Sequence, residues 1–252
     1  MSFEVAAESY GRFMGRFSEP LAVQFADAVA VRPGQRALDV GCGPGALTAV
    51  LLERLGADQV TAVDPSESFV AAAKARFPDL DVHRGVAEQL PFPDDQFDLA
   101  LAQLVVHFMT DPVAGLREMA RVSRPSGSIG ACVWDHAGGG GPLSTFWQAV
   151  ADTDPEAPAE AELPGTKEGQ LAELCATAGL RDVESSTLTT TVPFASFDDW
   201  WDPYTLGVGP AGAYVGQLDD GRREALRARC QELLPAPPFQ LSAKAWCVTA
   251  RP

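Results

Sequence analysis

Apolar and amphipathic stretches alternate along the first half of this chain. Residues 36–40 and 59–64 are short apolar runs, and residues 81–84, 97–102 and 128–134 read as three further strands. The run 97–102 is nearly all apolar, which suits a strand buried on both faces. Between these runs lie helical patterns at 47–55, 65–76 and 111–122. Phe69, Val70 and Ala73 share the face of the second that packs on the sheet, and Asp111 with Pro112 gives the third an N-cap and a first-turn proline. Strand–helix alternation of this kind predicts an α/β fold with a doubly wound, mostly parallel sheet. In the second half, helices are expected at 143–150, 168–178 and 219–234, and strands at 181–192 and 243–250. The leading segment 1–30 includes a helical run over 21–30, while Gly11 and Gly15 make its earlier part a poor helix.

The first strand ends in Leu38-Asp39-Val40-Gly41-Cys42-Gly43-Pro44-Gly45-Ala46, a glycine-rich turn that opens directly into a helix. Glycines allow positive φ and let a ligand approach the backbone, and the helix behind them offers free N–H groups. Gly41-x-Gly43-x-x-Ala46 also satisfies the dinucleotide fingerprint, so a nicotinamide-dependent oxidoreductase is one reading. Asp39 opposes it. A carboxylate two residues before the first glycine repels a pyrophosphate and attracts the ammonium of a methionine moiety. Asp64, about 20 residues past the glycines and at the end of the second strand, has the spacing of a carboxylate that accepts the hydroxyls of a ribose. Its alternative role is to cap the helix that begins Pro65-Ser66-Glu67.

Asp39-Val40-Gly41-Cys42-Gly43-Pro44-Gly45 resembles motif I of the class I S-adenosylmethionine (SAM)-dependent methyltransferases. The segment from Gly85 to Asp98 resembles the Gly-Asp-Ala-Glu-x-Leu-Pro-Phe stretch of small-molecule methyltransferases related to quinone-biosynthesis enzymes, with Val86 where many relatives carry Asp. Residues 121–127 resemble the family's Arg-Val-Leu-Lys-Pro-Gly-Gly turn. The resemblance implies a Rossmann-like seven-stranded sheet with a small helical and aromatic cap, SAM as cofactor with S-adenosylhomocysteine as product, and a small-molecule acceptor. It implies cofactor contacts from Asp39, Gly41, Cys42, Gly43, Asp64, Pro65, Ser66, Ala87 through its backbone, Glu88 and Gln103. Tyr10 and Arg16, in a segment similar to one that covers the cofactor in relatives, are expected at the methionine carboxylate. Otherwise they belong to a surface helix with snorkelling arginines. The implied division is a covering segment at 1–30, a SAM-binding core at 31–136, and substrate-side insertions at 137–165 and 193–240.

In-line methyl transfer requires alignment above all, and a general base only where the acceptor must lose a proton. His107 at the tip of the fourth strand is the candidate base, or else a core residue; His136, at the tip of the fifth, is expected on the substrate side. The aromatics around Trp201 and Tyr204 are expected to form either a lid over an apolar substrate or the core of a small cap. Gly138 to Gly141 read as a flexible hinge, residues 151–165 as a mobile acidic loop, and the stretch up to Gly216 as glycine-rich and irregular. A SAM-binding protein without transferase activity fits the same residues, because this fold needs no fixed catalytic side chain.

Bulk numbers narrow the partners. A net charge of −15 over 252 residues repels nucleic-acid backbones and acidic membranes, so neither is expected as a partner. No run of about 18 apolar residues occurs. Five dispersed cysteines without a C-x-x-C, and acidic Glu4 and Glu8 where a secretory leader would be basic, point to a cytoplasmic protein with reduced thiols and no metal site.

Overall fold

A computed structural model of the protein describes residues 7–157 and 160–252. Ser2 and Glu4 of the leading segment, and two residues of the acidic loop, lie outside the described residues. The strands are β1 (Ala37–Val40), β2 (Val60–Asp64), β3 (Asp81–Arg84), β4 (Phe97–Gln103), β5 (Ser123–Trp134), β6 (Arg181–Phe194) and β7 (Phe239–Arg251). They form one sheet in the order β3-β2-β1-β4-β5-β7-β6. The first five run parallel, and β7 inserts antiparallel between β5 and β6. The expected seven-stranded, mostly parallel, Rossmann-like sheet is therefore the one observed.

The helices are α1 (Ala7–Tyr10), α2 (Arg16–Ala28), α3 (Ala46–Leu55), α4 (Glu67–Arg76), α5 (Pro112–Val122), α6 (Ser144–Thr153), α7 (Gln170–Thr177), α8 (Phe197–Trp201), α9 (Gly209–Gln217) and α10 (Asp220–Leu233). Alternation along β4 explains the layering. Leu99 and Leu101 point to the face covered by α2, α3 and α4, while Ala100 and Ala102 point to the face covered by α5 and α7. Because β4 is covered on both sides, its central residues Leu99 to Ala102 are apolar on both faces. The chain leaves β1 toward β2 on one side and reaches β4 on the other, so a crevice opens above the carboxyl ends of β1 and β4.

Several expectations are corrected. Gly11 and Gly15 do not interrupt the leading helix; residues Gly11–Gly15 form a π-helical turn that joins α1 to α2. α4 begins at Glu67, with the Ser66 hydroxyl accepting the Phe69 N–H as its cap, so Asp64 is released from capping. Gly209, Gly212 and Gly216 belong to α9, whose Pro210 occupies the first turn. The stretch Gly138 to Gly141 is a pinned turn: the Asp135 carboxylate accepts the Gly138 N–H, and Lys244 exchanges backbone hydrogen bonds with Asp135 and Gly140. The acidic loop is not wholly on the surface, since Glu160 is buried.

Candidate functional site

The crevice holds a cavity of about 680 Å³. The turn after β1 forms its floor, with Asp39, Gly41, Cys42 and Gly43 on the wall. The end of β2 contributes Asp64, Pro65 and Ser66; the loop after β3 contributes Ala87 and Glu88; the end of β4 contributes Gln103 and His107. Tyr10 closes one side, its ring edge-on to Phe69 at 5.5 Å. Residues distant in sequence thus converge on one volume of the size ligand sites take.

Asp64 is held from both sides. Its Oδ2 accepts the Gly43 N–H and its Oδ1 the Ser66 N–H, each at 2.8 Å. Burial pushes its carboxyl up, and these two bonds oppose that shift. Asp39 is buried below the turn and accepts the Thr48 hydroxyl, and burial pushes its carboxyl up to about 7. Glu88 takes the Thr110 N–H at 2.7 Å and the Asp111 N–H at 3.2 Å, which ties the loop after β3 to the start of α5. The Gln103 side-chain NH2 donates to the Ser18 carbonyl, while its Oε1 is buried with no partner among the described residues. Burial raises the Cys42 thiol well above its ordinary value, so its role is not that of a thiolate nucleophile.

His107 is buried in a 3₁₀ turn, its ring 3.9 Å from Phe108 and 5.8 Å from His136. Burial holds its imidazole well below the ordinary value, so it stays neutral, and its Nδ1 lacks a partner among the described residues. His136 does not line the main cavity; it borders a smaller one behind it.

Three expected site residues are elsewhere. The Arg16 guanidinium stacks 4.3 Å over Phe194, pairs with Asp199 at 2.8 Å and donates to the Pro193 carbonyl, so it fastens α2 to the start of α8. Trp201 and Tyr204 are 4% and 2% exposed and line neither cavity. Tyr204 packs between Phe13 and Phe146 at 4.8 and 4.6 Å, which makes this cluster the cap's core. Arg16→Ala is expected to lower stability by about 1 kcal/mol, as a half-exposed ion pair of this kind does. Cofactor affinity is expected to stay unchanged; thermal unfolding alongside calorimetry checks both.

Sequence reasoning missed Ser18, Leu104, Leu163 and Pro164, which also line the cavity. Leu104 adopts φ +62° at the end of β4, a left-handed conformation that leucine rarely takes and that tends to mark functional loops. Nothing local in the sequence signals it.

A family model described as a methyltransferase domain matches residues 38–130, the span from β1 into β5 that builds the floor and both flanks of the cavity. That span of this chain is thus similar to a methyltransferase domain. The demethylmenaquinone methyltransferase of Beutenbergia cavernae is 42% identical to it over 103 residues, 41% of this chain and 42% of that protein. The chain spans about half the length of the curated relatives it matches. A SAM-dependent methyltransferase of Thermotoga maritima superposes with a TM-score of 0.58 at 19% identity, covering 97% of this chain and 96% of that one. A geranyl diphosphate methyltransferase solved in complex with SAM superposes with a TM-score of 0.55 at 16% identity, covering 94% of this chain and 86% of that one. At such identities the structural likeness concerns the fold. Among the described residues, no helix around the domain is long and apolar enough to cross a membrane.

Proposed function

We propose that this methyltransferase domain binds SAM in the main cavity and transfers its methyl group to a small-molecule acceptor by in-line displacement. One observation carries the reading: the cavity wall holds Asp39, Asp64 and Glu88 and, among the described residues, no lysine or arginine. Such a wall disfavours the pyrophosphate of a dinucleotide and favours a ligand bearing sulfonium and ammonium charges. The residues fit that cofactor further, because Gly43 leaves open space where a side chain would stand and Gln103, on the same cavity's lining, has an unpaired acceptor in its Oε1.

SAM supplies an activated methyl group, so the protein's task is orientation and exclusion of water. Asp64 is the ribose partner. Its two backbone hydrogen bonds fix the carboxylate, and each oxygen keeps a lone pair for a hydroxyl. Ala87 and Glu88 border the adenine end; Val86 is exposed there and offers no acid to the adenine amino group. Tyr10 covers the opening from the end of α1, just before the π-helical turn. The neutral His107 Nδ1 accepts a hydrogen bond from the acceptor and takes its proton where one must leave. The acidic surface and the lack of basic residues in the cavity agree with a small molecule as acceptor rather than nucleic acid.

Calorimetry with S-adenosylhomocysteine and with NAD tests this. The thioether is expected to bind and NAD not, and Asp64→Ala is expected to weaken the binding by about 1–3 kcal/mol through lost charge-assisted hydrogen bonds. Preference for NAD, or an unchanged affinity in the variant, overturns the assignment.

A further inference from the structure

Behind the main cavity lies a second chamber of about 40 Å³. Tyr10, Leu104 and Phe108 line both, so the two adjoin at these shared side chains. The chamber's other walls are largely apolar, with Phe13, Leu143 and Ala211 among them. Its polar side chains are those of Tyr10, Trp134, His136 and Glu160.

Trp134 is 2% exposed, and its indole Nε1–H has no hydrogen-bond partner among the described residues. Leaving a buried donor unpaired is unfavourable, and tryptophan in a core normally finds a partner. Here the residue that carries the unpaired donor lines a chamber at the tip of β5, beside the edge of the sheet where the larger site opens. Glu160, 5% exposed, has one carboxylate oxygen occupied by the Trp147 indole N–H at 2.7 Å. No lysine or arginine among the described residues lines the chamber.

We propose that this chamber receives one end of the methyl acceptor, and that this end is an uncharged oxygen group to which Trp134 Nε1–H donates a hydrogen bond. The acceptor is then a neutral, mostly apolar molecule of the phenol or enol class bearing a second oxygen, and not a carboxylate or phosphate. This deepens the methyltransferase reading and rests on it.

Size and charge both support the assignment. A volume of this kind holds about three water-sized groups, so only a polar tip enters and the body of the acceptor stays in the main cavity near His107. An anion entering would lose its hydration, find no cation, and face the Glu160 carboxyl. A neutral carbonyl or hydroxyl loses little hydration and gains the waiting donor.

The test uses the full chain saturated with S-adenosylhomocysteine and two probes of nearly equal shape, 4-hydroxybenzaldehyde and 4-hydroxybenzoate. The aldehyde is expected to bind at least about tenfold more tightly, given the penalty of burying an unpaired carboxylate. Trp134→Phe is expected to weaken the aldehyde by about three- to tenfold, the worth of one hydrogen bond, with the affinity for S-adenosylhomocysteine unchanged. In the wild-type protein, one indole N–H resonance is expected to shift on adding the aldehyde, and this readout does not depend on the variant folding. Equal binding of the two probes, no binding of the aldehyde, or an unmoved set of indole resonances overturns the chamber assignment. Failure of S-adenosylhomocysteine itself to bind overturns instead the cofactor reading beneath it.

Discussion

Asp39→Asn is expected to stabilise the ligand-free protein, with a gain largest near pH 8 that shrinks as the pH is lowered. Burial raises the Asp39 carboxyl from 3.8 to about 7 in the folded protein. A group shifted in this direction contributes full stability below its unfolded value and loses it as pH rises to the folded one. Between those limits the folded state holds a proton that the unfolded state has released, so stability falls with pH by about 1.4 kcal/mol per unit. Above pH 7 the accumulated cost is about 4 kcal/mol. Asparagine mimics the protonated acid, keeps an acceptor for the Thr48 hydroxyl and carries no cost of this kind. Unfolding by denaturant at pH 8, 6.5 and 5 reads the trend, and a gain independent of pH contradicts it.

That instability has a use under the proposed function. An ammonium and a sulfonium brought into the cavity favour the ionised carboxylate, so binding is expected to drive off the Asp39 proton below pH 7. Calorimetry in buffers of different ionisation heat is expected to register the released proton in the wild-type protein and to miss it in Asp39→Asn. The variant is then a more stable protein with a weaker site, the trade-off seen where a strained charge serves a ligand.

What the sequence made legible was local. The apolar run of β4 announces a strand covered on both faces, and Asp39, the glycine turn and Asp64 lie within 26 residues of one another on consecutive elements. Their convergence follows from the strand–helix–strand connection alone. Arg16 shows where local reading ends. Its partner Asp199 is 183 residues away, and nothing near Arg16 says whether its guanidinium will meet a ligand or the cap. Trp201 and Tyr204 fail for the same reason: clustered aromatics suit a lid or a core equally, and only the packing of Phe13 and Phe146 decides. Trp134 and Glu160 are the converse. Both sit in stretches whose pattern predicts ordinary roles, and their interest comes from a cavity that no periodicity encodes. The π-helical turn at Gly11–Gly15 was hidden because glycine counts against any helix, while a widened turn tolerates it.

Gly41→Ala and Gly43→Ala are expected to separate the two uses of the glycine turn. Gly41 has φ +71°, and a β-carbon there would lie 2.5 Å from Val105 Cγ1 and 2.9 Å from Val105 Cβ. Its N–H must also stay on the Val63 carbonyl, so the backbone has little freedom to withdraw. Left-handed strain of about 1–2 kcal/mol adds to overpacking of about 1–3 kcal/mol, giving a loss of about 2–5 kcal/mol in stability. Val105→Ala is expected to return part of it, and a double-mutant cycle measures how much. Gly43 has φ +54° and nothing within 4 Å of its would-be β-carbon, so the substitution there costs only the backbone strain, about 1 kcal/mol. Yet Gly43 lines the main cavity, and a methyl group on it is expected to hinder a ligand's approach to the backbone there. Gly43→Ala is therefore expected to fold nearly as well as the wild-type chain and to bind S-adenosylhomocysteine at least about tenfold more weakly, the worth of one displaced close contact or more. Should both variants lose stability alike while binding is spared in Gly43→Ala, the second glycine serves the turn and not the ligand.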